Sequence, residues 1–478
     1  MAFRRNLFDY LVKLKDDDLK EIKKYLDSPF FKINSRDRVM ALFKLLERHH
    51  PKYEKNIDDF LADKLSIGLK SVRNLKTELV KCIEHYLQLK ALNEQEQLKP
   101  QLMAYALDDL NMHQHFEKYA DLQLKKLELK LHLNEADYQL KYELLQRKYA
   151  IVAENMLNTN NTALEEAINT FTQFYLYKSL KNLNGLIATN LMVDRGAEIY
   201  LTKQIINSIT NIDLIDDVNI QTAYLIFKYY NISTNNLKEK ETTYNNLKQL
   251  VLKDWEKLTD DYKYETYINM LNIIKVVAEI NVEKYSNEAF IIHKFWIDKK
   301  VHQIHKEIHY HLFLSIVISS CEAQKLTWCE KFITSNQTML SVNERKSTVS
   351  LCLAHLYFSN KQLDNAIATL ADINPLGIYF DLLIRLLMLR CLFVANYDER
   401  FSYYYNSTYN FIRNHTELNE NNKIYHLKFI NYLRRVKNAR AEKHIEKLIN
   451  VKEEIETNIN IINYRWLLKI INTLVNKI

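Results

Sequence analysis

The densest grouping of metal-type ligands in the chain is His302-Gln303-Ile304-His305-Lys306-Glu307-Ile308-His309-Tyr310-His311. On a helix, His302, His305 and His309 fall at i, i+3 and i+7, along one stripe. Imidazoles so placed ligate zinc or iron when further donors face them. Three features argue against a site. Glu307 stands one position late for a His-Glu-x-x-His pattern. No helix with Glu-x-x-His spacing completes a carboxylate-bridged centre. Lys299, Lys300 and Lys306 add positive charge beside the imidazoles. The motif therefore reads as a polar, solvent-facing stripe, with no metal and no cofactor expected. A metal-dependent enzyme built on these three histidines is kept as the second alternative function.

Other chemistry is sparse. Glycine occurs only at 68, 185, 196 and 377, so a phosphate-cradling loop of the usual form is excluded, and there is no Gly-x-Ser-x-Gly elbow. The acidic runs Asp16-Asp17-Asp18, Asp216-Asp217 and Asp260-Asp261 stand where helices begin, where carboxylates cap free N–H groups and complement the helix dipole. The cysteines at 82, 321, 329, 352 and 391 lack metal-type spacing and read as small buried hydrophobes.

Two surfaces suit a binding role. Residues 423–452 hold nine Lys or Arg against Glu442 and Glu446, a local net charge of +7. Such a face docks an acidic protein or nucleic acid. The aromatic cluster around Phe393, Tyr397, Phe401, Tyr403, Tyr404, Tyr405 and Tyr409 cannot all point inward from one helix. Tyr397, Phe401, Tyr404 and Tyr405 form a core face, which leaves Tyr403 to point into a groove. The expected partner-binding residues are Tyr403, Arg434, Arg435, Lys437 and Arg440.

These side chains must be positioned by helices. The 478 residues contain only 4 Gly and 4 Pro, against 47 % hydrophobic and 26 % charged residues. Sheets and tight turns need far more Gly and Pro, so long helices joined by short polar turns are expected. The 31 Tyr fit a codon bias toward A/T, with Tyr packing where Phe or Leu would stand elsewhere. Helical periodicity is widespread: Val72, Leu75, Leu79, Ile83 and Tyr86 form one stripe, and Phe116, Ala120, Leu124, Leu127 and Leu131 another. The first residues, Met1-Ala2-Phe3-Arg4-Arg5, lack a following apolar stretch, and the most apolar segment, 312–321, is too short to span a bilayer. A reducing cytoplasm and no membrane are expected.

A repeat is clearest between about 310 and 412. The turns at Leu326-Thr327-Trp328, Lys361-Gln362-Leu363 and Ala395-Asn396-Tyr397 recur at roughly the 34-residue period of tetratricopeptide helix pairs. In the middle unit the small residues Ala354 and Ala366 stand where the two helices approach most closely. Lys331 and Arg400 take the place of Ala366 in the flanking units.

The segment Tyr25-Leu26-Asp27-Ser28-Pro29-Phe30-Phe31, then Val39-x-x-Leu42-Phe43, the run Trp328-Cys329-Glu330-Lys331-Phe332-Ile333, the middle unit and residues 386–409 occur in that order. Together they resemble a group of uncharacterised bacterial tetratricopeptide-like helical-repeat proteins. The resemblance implies an α-solenoid behind a small N-terminal helical domain, and it implies no activity or active-site residues.

The expected fold is thus all-α, an α-solenoid of antiparallel helix pairs. Its expected parts are an N-terminal helical domain at 1–95, degenerate helical hairpins at 96–310, tetratricopeptide-like repeats at 311–413, and basic and apolar helices at 414–478. The helix expected at 459–478 is apolar round most of its circumference, with only Arg465, Lys469, Asn472 and Asn476 along one polar stripe. It should fold back between earlier helices; the sharper alternative is a homodimer surface. The expected function is a non-enzymatic scaffold binding a partner protein or peptide on the solenoid groove or C-terminal surface. The first alternative is a nucleic-acid-associated protein using the basic stretch.

Overall fold

The computed structural model describes residues 6–53, 57–154, 162–193, 216–233, 236–280, 282–285, 287–304, 307–418, 420–457 and 461–476. Among these, every α or 3-10 element is helical and no strand occurs. The chain divides into two compact units, Met1–Tyr175 and Leu176–Ile478.

The first unit holds α1 (Leu7–Leu11), α2 (Asp16–Asp27), α3 (Arg36–Glu47), α4 (Ile57–Leu65), α5 (Leu69–Glu94), α6 (Lys99–Asp109), α7 (His113–Glu128) and α8 (Glu135–Glu154). The division falls inside α9 (Thr162–Val193). Helices α1 to α4 all pack on the long α5. The predicted stripe Val72, Leu75, Leu79, Ile83 and Tyr86 is buried there, against Val39, Leu42, Phe43 and Leu46 of α3. The carboxylate of Asp18 accepts the Lys15 N–H at 3.1 Å, so the acidic run does cap α2. A separate core around Phe116, Ala120, Leu127 and Leu144 joins α6, α7 and α8.

The second unit continues with α10 (Val218–Asn231), α11 (Leu237–Lys253), α12 (Asp260–Ile280), α13 (Val282–Tyr285) and α14 (Glu288–Asp298). Asp217 caps α10, accepting the N–H groups of Asn219 at 2.8 Å and Ile220 at 3.1 Å. Trp255, Tyr262, Tyr267, Trp296 and Val301 lie in this core.

Beyond it come α15 (Tyr310–Glu322), α16 (Leu326–Asn336), α17 (Val342–Ser359), α18 (Leu363–Ala371), α19 (Ile378–Val394), α20 (Asp398–Asn414), α21 (Glu420–Ala441), α22 (Ile445–Thr457) and α23 (Tyr464–Val475). Each packs on the next in chain order, and α15, α17 and α19 also pack on one another in sequence. One core runs from Ile308 to Ile471. Residues 311–413 and 414–478 share a core, and 96–310 contribute to both units.

The hairpins share one turn. Gln324, Lys361, Asn396 and Lys443 are each left-handed, with φ of 56°, 62°, 58° and 52°. The residue after each donates its N–H to a carbonyl five positions back: Lys325 to Ser320 at 2.9 Å, Gln362 to Tyr357 at 2.9 Å, Tyr397 to Leu392 at 3.1 Å, and His444 to Ala439 at 3.0 Å. This is a helix C-terminus of Schellman type, usually built on glycine. Asn111, with φ 55°, and the Met112 N–H to Leu107 bond at 2.9 Å repeat it between α6 and α7. A chain so poor in glycine ends these helices on Asn, Gln and Lys instead.

Aligning the hairpins on that residue corrects the repeat register. The position of Ala366 is filled by Cys329 and Phe401, not by Lys331 and Arg400, which are exposed. The position of Ala354 is filled by Val317 and Leu389. All six are buried to 1 % exposure or less. In the first hairpin the two positions touch, since the Cys329 thiol lies 3.8 Å from the Val317 carbonyl oxygen.

The last helix, α23, turns inward. Leu467 and Ile471 are fully buried, and Leu468, Ile470, Leu474 and Val475 pack half-buried on the same core. Its exposed side is Lys469, Asn472, Thr473 and Asn476. The apolar residues that suggested a homodimer surface are thus used within the unit; residue 459, where this helix was expected to begin, lies outside the described residues.

Candidate functional site

The histidine motif is not one helix. Lys300 turns left-handed at φ 58° and ends α14, and a single 3-10 turn, Val301–Gln303, follows. His302 on that turn is 6 % exposed, and burial lowers its pKa against the opposing influence of Asn336 and the Trp296 backbone. Ile308 is pinned into the next core, and its N–H donates to the Met339 carbonyl at 2.8 Å. His309 is exposed and caps α15, its Nδ1 accepting the His311 N–H at 3.4 Å. His305 lies outside the described residues. The solvent-facing helical stripe is therefore corrected: a buried imidazole and an exposed cap stand on different elements. Among the described residues no three His, Cys, Asp or Glu side chains converge as a metal site.

Tyr403 meets a different fate. It is 77 % exposed on α20 and lines a cleft of about 610 Å³ between α18, α19 and α20. The floor is apolar: Leu370 and Ile373 from the end of α18, and Ile384, Met388 and Leu392 from α19. Asp381, Glu399 and Arg400 supply charge at its edge. Asp381 is paired with Arg385 at 3.1 Å, and Arg400 lies over the Tyr397 ring at 5.6 Å. Of the expected core face, Phe401 and Tyr405 are buried and burial raises the pKa of half-buried Tyr404, but Tyr397 is exposed, its hydroxyl donating to the Asp364 carboxylate at 2.7 Å. The apolar floor was not foreseen. Its signal was available in Ile373 and Pro375, apolar residues of the loop after α18 that line the cleft.

The basic stretch is less naked than its composition suggests. Arg435 makes a two-pronged pair with Glu454 at 2.6 and 2.7 Å, Lys437 and Arg440 both approach Asp398 at 3.5 Å, and Lys423, Lys447 and Lys452 pair with Glu420, Glu442 and Glu456. Arg440 also donates to the Phe393 carbonyl at 2.9 Å, tying α21 to α19. Arg434 is exposed and lies over Tyr405 at 4.7 Å. Of the residues expected to bind a partner, Tyr403 and Arg434 thus present open surface, and Arg435, Lys437 and Arg440 are engaged within the fold.

All five cysteines are free and buried; Cys321 and Cys329 lie 3.8 Å apart, sulfur to sulfur. Among the described residues no helix is long and apolar enough to cross a membrane. Comparison with protein-family models, curated proteins and solved structures finds no match for this chain.

Proposed function

We propose that this chain is a tetratricopeptide-like α-solenoid, acting as a protein-interaction scaffold in a reducing cytoplasm, which docks a partner protein through the cleft beside Tyr403. The observation carrying the reading is an aromatic side chain, mostly exposed, standing over an apolar cleft built by three consecutive helices. Exposed tyrosine over a desolvated pocket is the usual anatomy of a binding hot spot. Met388 on the floor adapts to varied side chains. The occupant is a segment with one large apolar side chain seated on Leu370, Ile384 and Met388, flanked by a polar group that meets Tyr403 or Arg400. The shared hairpin turn and the chain-order packing of α15 to α23 support the solenoid reading.

Nucleic acid is the weaker reading, because the basic side chains are largely paired with carboxylates and release few counterions on binding a phosphate backbone. The test is a photo-crosslinking residue in place of Tyr403 in the native host. The reading expects a discrete cross-linked protein that disappears when Met388→Glu blocks the cleft. A cross-linking pattern indifferent to Met388→Glu, in a variant that still folds, would refute it.

A further inference from the structure

A cavity of about 410 Å³ lies in the first unit, among α6, α7 and α8. Ligand sites commonly span about 300–1,000 Å³. Its floor is apolar: Phe116 of α7 and Leu140 and Leu144 of α8 line it, and all three are buried. Exposed Tyr105 of α6 and half-buried Tyr142 of α8 line it as well. Two charged residues one turn apart on α8, Glu143 and Arg147, also reach it.

Those two charges are met in opposite ways. Arg147 is paired twice, its Nε donating to Asp108 at 2.7 Å and its Nη1 to Glu154 at 2.7 Å. Glu143 receives neutral donors. Its Oε2 accepts from the Gln101 amide at 2.6 Å and from the Tyr105 hydroxyl at 2.8 Å, and its Oε1 accepts from the Gln139 amide at 3.0 Å. The nearest cations along α8, Lys141 and Lys148, are turned to Glu166 at 2.9 Å and to Asp121 at 2.5 Å. Among the described residues Glu143 therefore has no cationic partner. It is only half-buried, so it is open to a group that enters the cavity.

Three neutral hydrogen bonds hold a carboxylate in place but leave its net charge uncancelled. A carboxylate offers about four acceptor positions, so one is left on Oε1 while Oε2 is fully used. Tyrosine rings attract a cation through their negative faces, and an apolar floor accepts the methylene stem of a long cationic side chain. We propose that this cavity receives a lysine side chain from a partner protein, its ammonium on Glu143 between Tyr105 and Tyr142 and its stem on Phe116, Leu140 and Leu144. Lysine fits better than arginine, because one free position on one oxygen suits a point charge, whereas a guanidinium fork uses both oxygens. A protein segment fits better than a free amine. Leu102, one turn before Tyr105, and Phe171 of α9, 5.2 Å from the Tyr142 ring, are exposed, and they extend the apolar surface beyond what a small amine covers. The inference rests on the reading of this chain as a docking protein, and it adds a charge-selective contact in the first unit to the Tyr403 cleft of the second.

The experiment uses the full chain and a fluorescein-labelled oligolysine peptide, with the Nε-acetylated peptide of equal length as control, read by anisotropy. The wild type should bind the first and not the second, since acetylation keeps the stem and removes the charge. Glu143→Gln keeps an acceptor oxygen and loses the charge, and it should weaken binding by about tenfold or more, the loss expected for one charge-assisted contact. Tyr105→Leu should weaken it by about threefold or more through the lost ring, and it carries the test if Glu143→Gln fails to fold. Glu117→Gln removes an equal charge from the exposed side of α7 and should leave binding unchanged. No binding by the wild type, equal binding of the acetylated peptide, binding by Glu143→Gln (or by Tyr105→Leu in its place) equal to the wild type, or an equal loss in Glu117→Gln would each overturn the proposal. Tighter binding of oligoarginine would overturn the choice of lysine, and displacement of the peptide by n-butylamine at matched concentration would overturn the choice of a protein segment. Any of these with the Tyr403 cross-link intact removes the Glu143 site alone and leaves the docking reading standing.

Discussion

Lowering the pH from about 7.5 to about 5 should destabilise the second unit through a histidine outside the conspicuous motif. His293 on α14 is fully buried. Its Nδ1 shares a hydrogen bond with the Tyr267 hydroxyl at 2.5 Å, and its Nε2 faces the Ser315 hydroxyl at 3.3 Å. Burial first, and Lys275 second, push its pKa down to about 3. An unfolded histidine titrates near 6.5, so the folded state binds the proton less well than the unfolded state. The stability of the neutral ring is therefore complete above about pH 6.5 and is lost as the pH falls from there toward about 3. At pH 5 the loss is about 1.5 pKa units at 1.36 kcal/mol each, or about 2 kcal/mol. His355, at about 3, and His426, at about 4, act in the same direction in wild type and variant alike. Against a typical domain stability of about 5–15 kcal/mol this is a large fraction. Urea unfolding followed by far-UV circular dichroism at the two pH values, on wild type and His293→Gln, measures it. The glutamine variant keeps polar atoms for Tyr267 and Ser315 and lacks the titration, so its loss should be smaller by about 2 kcal/mol. An identical pH-dependent loss in both proteins would refute the reasoning.

Two further outcomes are expected. Ala366→Leu adds volume to a fully enclosed position between α17 and α18 and should cost about 1–3 kcal/mol, seen in calorimetry as a lower midpoint; an unchanged midpoint would mean that these helices can separate freely. Arg440→Ala should cost about 1.5–3 kcal/mol by removing a charged donor from the Phe393 carbonyl and one of the two cations at Asp398, whereas Arg434→Ala should cost no more than about 0.5–1 kcal/mol; equal effects would contradict the assignment of Arg440 to the fold and Arg434 to the surface.

The helices were legible because their signal is local. The stripe Val72, Leu75, Leu79, Ile83 and Tyr86 repeats every three or four residues, and it is buried as its spacing demands. The ends of the helices were legible in part: the turns expected at Lys361-Gln362-Leu363 and Ala395-Asn396-Tyr397 hold left-handed Lys361 and Asn396, while the first, expected from Leu326, lies at Gln324. A left-handed residue is announced when it is glycine, but here it is Gln324, Lys361, Asn396 and Lys443, ordinary polar residues held in that conformation by a hydrogen bond from the next residue to the carbonyl five back. With no common letter to align on, the repeat register slipped by two residues in the first hairpin and one in the third, which made Lys331 and Arg400 look like failures of a motif that Cys329 and Phe401 satisfy. The histidine stripe failed for the same reason, since Lys300 breaks the helix it required. His293 lay on the apolar stripe of Phe290 and Trp296, where a lone polar residue marks a buried hydrogen-bonded ring rather than a ligand.

Arg390 differs from these, because its peculiarity was visible without any structure. In α19 two arginines interrupt an apolar run. Arg385 has Asp381 one turn before it, and the two pair at 3.1 Å. Arg390 has Leu386 and Leu387 one turn before and Phe393 and Val394 one turn after, so no acid on its own helix can reach it. A cation in an apolar helix without a local partner must be met from elsewhere: by solvent, by another helix or by a ligand. Phe358 of α17 and Trp466 of α23 each lie 4.7 Å from its guanidinium carbon, and Glu322 of α15 is the acid that acts on its charge. Spacing presupposes a helix that one left-handed lysine can break, whereas an unpaired buried charge has a cost that the fold must meet in some way.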